Sequence, residues 1–301
     1  MLLGWVTVQE QELSARIAIV QERIAAAAGR AGRVAGEVTL VAVTKTQPAE
    51  VVVAAYTAGL RLFGENRVEE AGPKVAAVAR LLAAGPAKPG PGVENHLSEA
   101  KKWPQPLMAG PAEPSQVQPV GFQPPIFYEP PAWHVIGHVQ SRKAADVLPW
   151  VAMVHSVESE KLARRLSHFL LRSDDFSRPG GRTTEVVTTK TLPILLEISV
   201  SGEASKDGVT PEQAPALVET ILALPGLRIE GLMTVAPIAA DPEEVRPVFA
   251  DLRRLRDDLA RRFPAVDWRH LSMGMTDDFE VAIEEGATMV RVGRAIFGER
   301  M

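Results

Sequence analysis

A single α/β barrel of eight strand–helix units is the fold predicted by this sequence of 301 residues. Three observations carry that expectation. Short apolar or β-branched runs alternate with helical patterns from residue 38 to the C-terminus, which implies a parallel sheet covered by helices. The runs number eight, and one further helix precedes them. No G-x-G-x-x-G follows the first run, which weakens the runner-up, an open doubly wound sheet that binds dinucleotides. One domain covering 1–301 is expected, because α/β barrels reach about 250 residues as a unit.

The leading helix is expected from about Val8 to Gly29, with Leu13, Ile17, Val20 and Ile24 on one face and Gly29 placed to end it. The strands are expected at Val38 to Thr44, Arg61 to Gly64, Trp133 to Gly137, Val151 to Val157, Ile194 to Val200, Arg228 to Val235, Trp268 to Met273 and Met289 to Gly293. Start signals mark two of the helices between them. Thr210-Pro211-Glu212 opens one. Asp241-Pro242-Glu243-Glu244 opens the other, ahead of an apolar face of Val245, Val248, Phe249, Leu252, Leu255 and Leu259. Two stretches interrupt the rhythm. Residues 85–131 hold 12 of the 24 prolines, a composition suited to a polyproline-like excursion and not to a core element. Residues 172–190, RSDDFSRPGGRTTEVVTTK, have the polar, glycine-containing look of a second surface insertion.

Composition narrows the function classes. A net charge of -4 with scattered lysines and arginines offers no footprint for nucleic acid. Without cysteine there is no disulfide, thiolate nucleophile or cysteine-based zinc site. The opening MLLGWVTVQEQELS lacks the basic and apolar regions of a secretory signal, and no segment has 18 uninterrupted apolar residues. The expectation is a soluble, cytoplasmic protein with no membrane or nucleic-acid partner.

Chemistry in such a barrel collects at the C-terminal strand ends. Lys45 ends the first apolar strand, where desolvation favours the neutral, nucleophilic amine; a strand-end lysine with a solvated head is the plain alternative. The loops after strands seven and eight form an expected phosphate cup. Ser272 and Thr276 offer hydroxyls, Gly274 permits close backbone approach, and Gly293-Arg294 opens a terminal helix. Arg291 points either into the barrel as a permanent donor or outward to a helix acid. His134 and His138 have i, i+4 spacing but span a strand and its turn, which favours structure or substrate contact over metal. Asp277-Asp278 is either a functional carboxylate pair or a pair of acids at a helix start.

Six segments in order, LVAVTKTQP around Lys45, FGENRVEEAGPK from Phe63, WHVIGHVQSRKA from Trp133, EGLMTV from Glu230, LSMGMTDDFEVAI from Leu271 and MVRVGRAIFGER from Met289, resemble the pyridoxal phosphate homeostasis proteins of the YggS/PROSC type. The resemblance covers nearly the whole chain apart from its first residues and the two insertions. It implies a barrel like the N-terminal domain of alanine racemase and pyridoxal 5'-phosphate held by Lys45 as an internal aldimine. By the same resemblance Arg291 would contact the pyridine nitrogen, while Ser272, Gly293 and Arg294 would hold the phosphate. Asn66, His134 and Met233 match positions near the pocket. Thr44 and Thr276 stand where serine is usual, and Glu197 and Ser199 replace the family's glutamine and asparagine.

The implied function is intracellular sequestration and delivery of pyridoxal phosphate, as a monomer, with apo-enzymes that depend on the cofactor as acceptors. Robust catalysis is not expected. An arginine at the pyridine nitrogen would weaken the ring as an electron sink, and no second β-rich domain is expected. Tyr56 and Tyr128 are both poorly placed to act as the opposite base. The alternatives are a single-domain amino-acid racemase that depends on pyridoxal phosphate, and a cofactor-free lysine aldolase.

Overall fold

β-branched and aliphatic residues dominate the eight short runs, and each forms a strand of a closed parallel barrel in the computed structural model, which describes residues 2–84, 130–175, 191–200 and 208–298. The strands are β1 (Thr39–Val43), β2 (Leu62–Glu65), β3 (Ala132–Val135), β4 (Met153–Val157), β5 (Leu192–Glu197), β6 (Leu227–Met233), β7 (His270–Ser272) and β8 (Met289–Val292). Neighbours in sequence are neighbours in the sheet. β8 closes on β1 with Val41 opposite Arg291 and Ala42 opposite Val292.

Alternation along the strands builds two cores. Val41, Val43, Ile136, Met153, Leu195, Met233 and Met289 fill the barrel interior. Their chain neighbours Ala42, Val135, Val154, Ile194, Leu196, Leu232 and Val290 face the helices and join the larger outer cluster. Arg291 lies two residues beyond Met289, so the same parity carries it inward; the open question about its direction is settled by the period of the strand.

The helices are α1 (Leu2–Arg30), α2 (Ala49–Thr57), α3 (Val68–Ala84), α4 (Ala144–Val147), α5 (Glu160–Asp175), α6 (Ala214–Leu222), α7 (Arg246–Arg262), α8 (Phe279–Glu284) and α9 (Arg294–Phe297). α1 begins earlier than its apolar face suggested. Gly4 lowers the local propensity by about 1 kcal/mol, but a helix anchored further along propagates past a single weak residue. Its end also lies later than Gly29: the helix reaches Arg30, and Gly32 takes the left-handed conformation (φ 69°) while the Arg33 amide donates to Ala28 O at 2.8 Å. The Asp241 side chain caps as expected, accepting from the Glu243 amide at 3.0 Å, though the first turn from Pro242 to Val245 is a 3₁₀ turn that leads into α7. Thr210 heads a turn, and α6 starts only at Ala214. α5 runs to Asp175, into the segment expected to be an insertion from residue 172; residues 176–190, like 85–129 and 201–207, lie outside the described residues. Among the described residues no helix is long and apolar enough to cross a membrane.

α1 buries Leu13, Ile17, Val20 and Ile24 against the barrel's outer layer. Arg23 pairs with Glu280 at 3.0 Å and Arg30 with Glu284 at 2.7 Å, which ties α1 to α8, while the Arg33 guanidinium donates to Ile283 O and Ala287 O. Burial outweighs exposed charge in this docking. Ile17→Ala is expected to cost roughly 2–5 kcal/mol in urea unfolding. Glu12→Ala, which removes an exposed pair with Arg16, should cost less than about 1 kcal/mol.

Candidate functional site

The C-terminal rim of the barrel opens into a cavity of about 630 Å³. Lys45, Asn66, Arg291, Gly293 and Arg294 line it, together with Thr46, Gln47, Met275, Thr276 and Asp277 and the apolar Val43, Ile136, Val235, Ile238 and Phe297. Lys45 sits in a turn closed by the Gln47 amide donating to Thr44 O at 3.0 Å. The third position of that turn is Thr46 at φ 66°, where type II turns usually place glycine or asparagine. A β-branched residue held there costs on the order of 1–3 kcal/mol and persists only where surrounding contacts fix it.

Thr44, the first residue of the turn, is held from outside the barrel wall. Lys74 of α3 donates to Thr44 O at 2.7 Å and to Glu65 Oε1 at 2.6 Å, and the Thr44 hydroxyl donates to the same carboxylate oxygen at 2.6 Å. Glu65 is 1% exposed and the Lys74 side chain 10%, so the ion pair is dry on one side and nearly so on the other.

Beneath the cavity a polar chain crosses the interior. Arg291 Nη1 donates to Ser272 O at 2.8 Å and Ser272 Oγ at 2.7 Å, and Nη2 donates to Thr234 O at 2.8 Å. Ser272 Oγ lies 2.9 Å from His155 Nδ1, and His155 Nε2 lies 2.8 Å from His134 Nδ1. A guanidinium can only donate, so the serine oxygen accepts from Arg291, and the next two contacts follow the tautomers of the rings. Both rings are neutral. Burial, reinforced by the charge of His270, pushes His134 down to about 3. Burial also drives His155 well below the usual histidine range, helped by His134, Arg291 and His270. Burial lowers Arg291 to about 10 against the opposing pull of Glu197 and Asp278, which still leaves it cationic at neutral pH.

The expected site residues divide by depth. Lys45, Asn66, Arg291, Gly293 and Arg294 share the cavity wall. Ser272, His134 and Met233 lie below it: Ser272 and Met233 are fully buried, and the serine hydroxyl is committed to Arg291 and His155. In the loop after β7 the hydroxyl at the wall belongs to Thr276. Gly274 answers to packing, since at φ 92° an added Cβ would lie 2.6 Å from Ala282 Cβ and 2.8 Å from Phe279 Cα on α8. Asp277 pairs with Arg294 across the rim, and Asp278 accepts from the Met275 amide at 2.5 Å, so the two acids serve separate partners. His138 pairs with Glu158 at 2.9 Å, and among the described residues no cluster of His, Cys, Asp or Glu could hold a metal ion. Sequence reasoning missed His155 and Lys74. The period of two from Met153 would have turned His155 inward beside His134; only α3 docking reveals Lys74.

Residues 19–301 match the family described as alanine racemase, N-terminal domain. The Pseudomonas aeruginosa protein named pyridoxal phosphate homeostasis protein is 37% identical over 288 residues, with 96% of each chain covered. The chain belongs to the pyridoxal phosphate homeostasis family. A relative of the same name from Aquifex aeolicus is 35% identical over 285 residues, covering 95% of this chain and 97% of that one. Among solved structures, PipY of Synechococcus elongatus PCC7942, described with PLP bound, superposes with a TM-score of 0.65 at 26% identity, over 95% of this chain and 100% of that one.

The two buried imidazoles make stability depend on pH. In the unfolded chain each takes up a proton near 6.5, while in the folded chain both stay neutral far below that. Below about pH 6.5 the unfolded state therefore binds more protons, and stability, full above that pH, falls as pH drops, by up to about 1.4 kcal/mol per pH unit for each ring. Urea unfolding of the cofactor-free chain between pH 7.5 and 5 should show this slope, and His155→Asn should make it shallower by about one proton. An unchanged slope would place a charged His155 in the folded chain.

Proposed function

We propose that this chain holds pyridoxal 5'-phosphate in the rim cavity, joined to Lys45, and serves to keep and deliver the cofactor in the cytoplasm without turning over amino acids. Pyridoxal phosphate supplies an aldehyde that condenses with an amine, forming a C=N bond and releasing one water, and a phosphate dianion at the other end of a flat ring. The donor set fits those ends. The amine is Lys45, while Thr276, Gly293 and Arg294 line the same cavity from the β7 and β8 side. Gly293 also lies close against β1, where an added Cβ would come 3.2 Å from Val43 Cβ and Val43 O, so the backbone of the anion-side loop abuts the strand that ends in Lys45. Val43, Ile136 and Val235 give apolar walls for a ring.

The single observation that carries this reading is Arg291 on the wall of the same cavity. Three hydrogen bonds fix its guanidinium, and it remains a cation. A fixed cation beside a pyridine nitrogen disfavours protonation there and so disfavours carbanion chemistry. Tyr56, buried on α2, is distant in role from a cavity base, and Tyr128 lies outside the described residues. A monomer, with apo-enzymes that depend on pyridoxal phosphate as acceptors, belongs to the same proposal. Binding in the family bears on the relatives by name, and the residues above are what extend it to this chain.

Borohydride reduction after incubation with pyridoxal phosphate tests the reading. Intact mass should rise by one reduced adduct, mapped by peptide to the segment with Lys45, and Lys45→Ala should show none. An adduct elsewhere, or sustained formation of a D-amino acid by the loaded protein, would overturn it.

A further inference from the structure

We propose that Lys74 is a positioning residue for Lys45: held between the Thr44 carbonyl and the Glu65 carboxylate, it fixes the Thr44–Gln47 turn that presents the Lys45 amine to the cavity. The inference rests on the role of Lys45 given above. The Thr44 carbonyl accepts twice, from the Gln47 amide that closes the turn and from Lys74 Nζ. The carboxylate that completes the clamp is buried, and its second oxygen, Glu65 Oε2, has no hydrogen-bond partner among the described residues, so its charge is balanced through Oε1 and Lys74. Inside the turn Thr46 is held at φ 66°, a conformation that a β-branched residue leaves when its surroundings allow.

The geometry separates this role from binding. Thr44 and Glu65 are on the helix-facing side of β1 and β2, as Ala42 and Phe63 are, whereas Lys45 lines the cavity with Val43. Lys74 is not among the residues of the cavity wall. Its influence on a ligand passes through one backbone carbonyl and one turn. Anchoring α3 alone would not require the contact to fall on the residue directly before Lys45, in the turn that holds Thr46, the one positive-φ non-glycine among the described residues.

The test compares two probes on the full chain. One is pyridoxal phosphate, scored as the rate of borohydride-trapped adduct at Lys45. The other is pyridoxine 5'-phosphate, with the same ring and phosphate but an alcohol in place of the aldehyde, scored by equilibrium affinity. In Lys74→Met the trapping rate should fall about tenfold or more while pyridoxine phosphate affinity stays within about threefold, because only the amine is displaced. Adding Thr46→Gly should recover most of the rate, since glycine adopts that φ without a clamp. Should the lone carboxylate prevent Lys74→Met from folding, Lys74→Met with Glu65→Gln removes both charges and is expected to show the same split. An unchanged trapping rate, or a parallel loss of both readouts that Thr46→Gly does not restore, would overturn the proposal. Failure to trap the wild type would overturn both this role and the function proposed for Lys45; normal trapping in wild type and Lys74→Met alike would overturn this role alone.

Discussion

Pairing of β8 with β1 is the constraint on which the site depends. That register sets Val41 opposite Arg291, and with a period of two it sends Lys45, Arg291 and Gly293 toward the same rim from adjacent strands. A slip of one residue would turn Arg291 out among the helices and Val290 into the barrel. The interior would then lose its cation, and the polar chain through Ser272, His155 and His134 would lose its donor. Closure thus fixes the fold and the chemistry in one step.

The interior belt has a cost and a use. Two neutral imidazoles and a guanidinium are expensive to bury, and each polar contact between them and Ser272 offsets part of that by hydrogen bonding. The compensation starts from a permanent donor: Arg291 holds Ser272 through both its carbonyl and its hydroxyl oxygen, which fixes the floor of the cavity. A rigid cationic floor suits retention of an anionic ring compound better than proton shuttling, which needs groups that titrate near neutral pH.

The eight strands were legible because each is a short apolar run with helix signals on both sides, and their ends shifted by at most three residues. Lys45, Arg291, Gly293 and Arg294 were legible because strand ends and adjacent rim loops concentrate function in barrels. Depth was harder to read. Ser272 closes β7 and faces inward, yet sits below the wall, while Thr276, four residues on, reaches it. His155 required the partner positions on β3 and β7 before its meaning emerged, and Lys74 required the packing of α3 on β1 and β2. Local pattern reports direction along a strand, whereas these residues are defined by contacts between elements far apart in sequence.

A crystal structure of the chain grown with pyridoxal 5'-phosphate tests the central claim most directly, because the account fixes both ends of the ligand. It predicts density continuous from Lys45 into the ring, the ring nitrogen toward Arg291 and the phosphate against Gly293, Arg294 and Thr276. A phosphate seated instead against the loops after β3 and β4, or a ligand unconnected to Lys45, would contradict it.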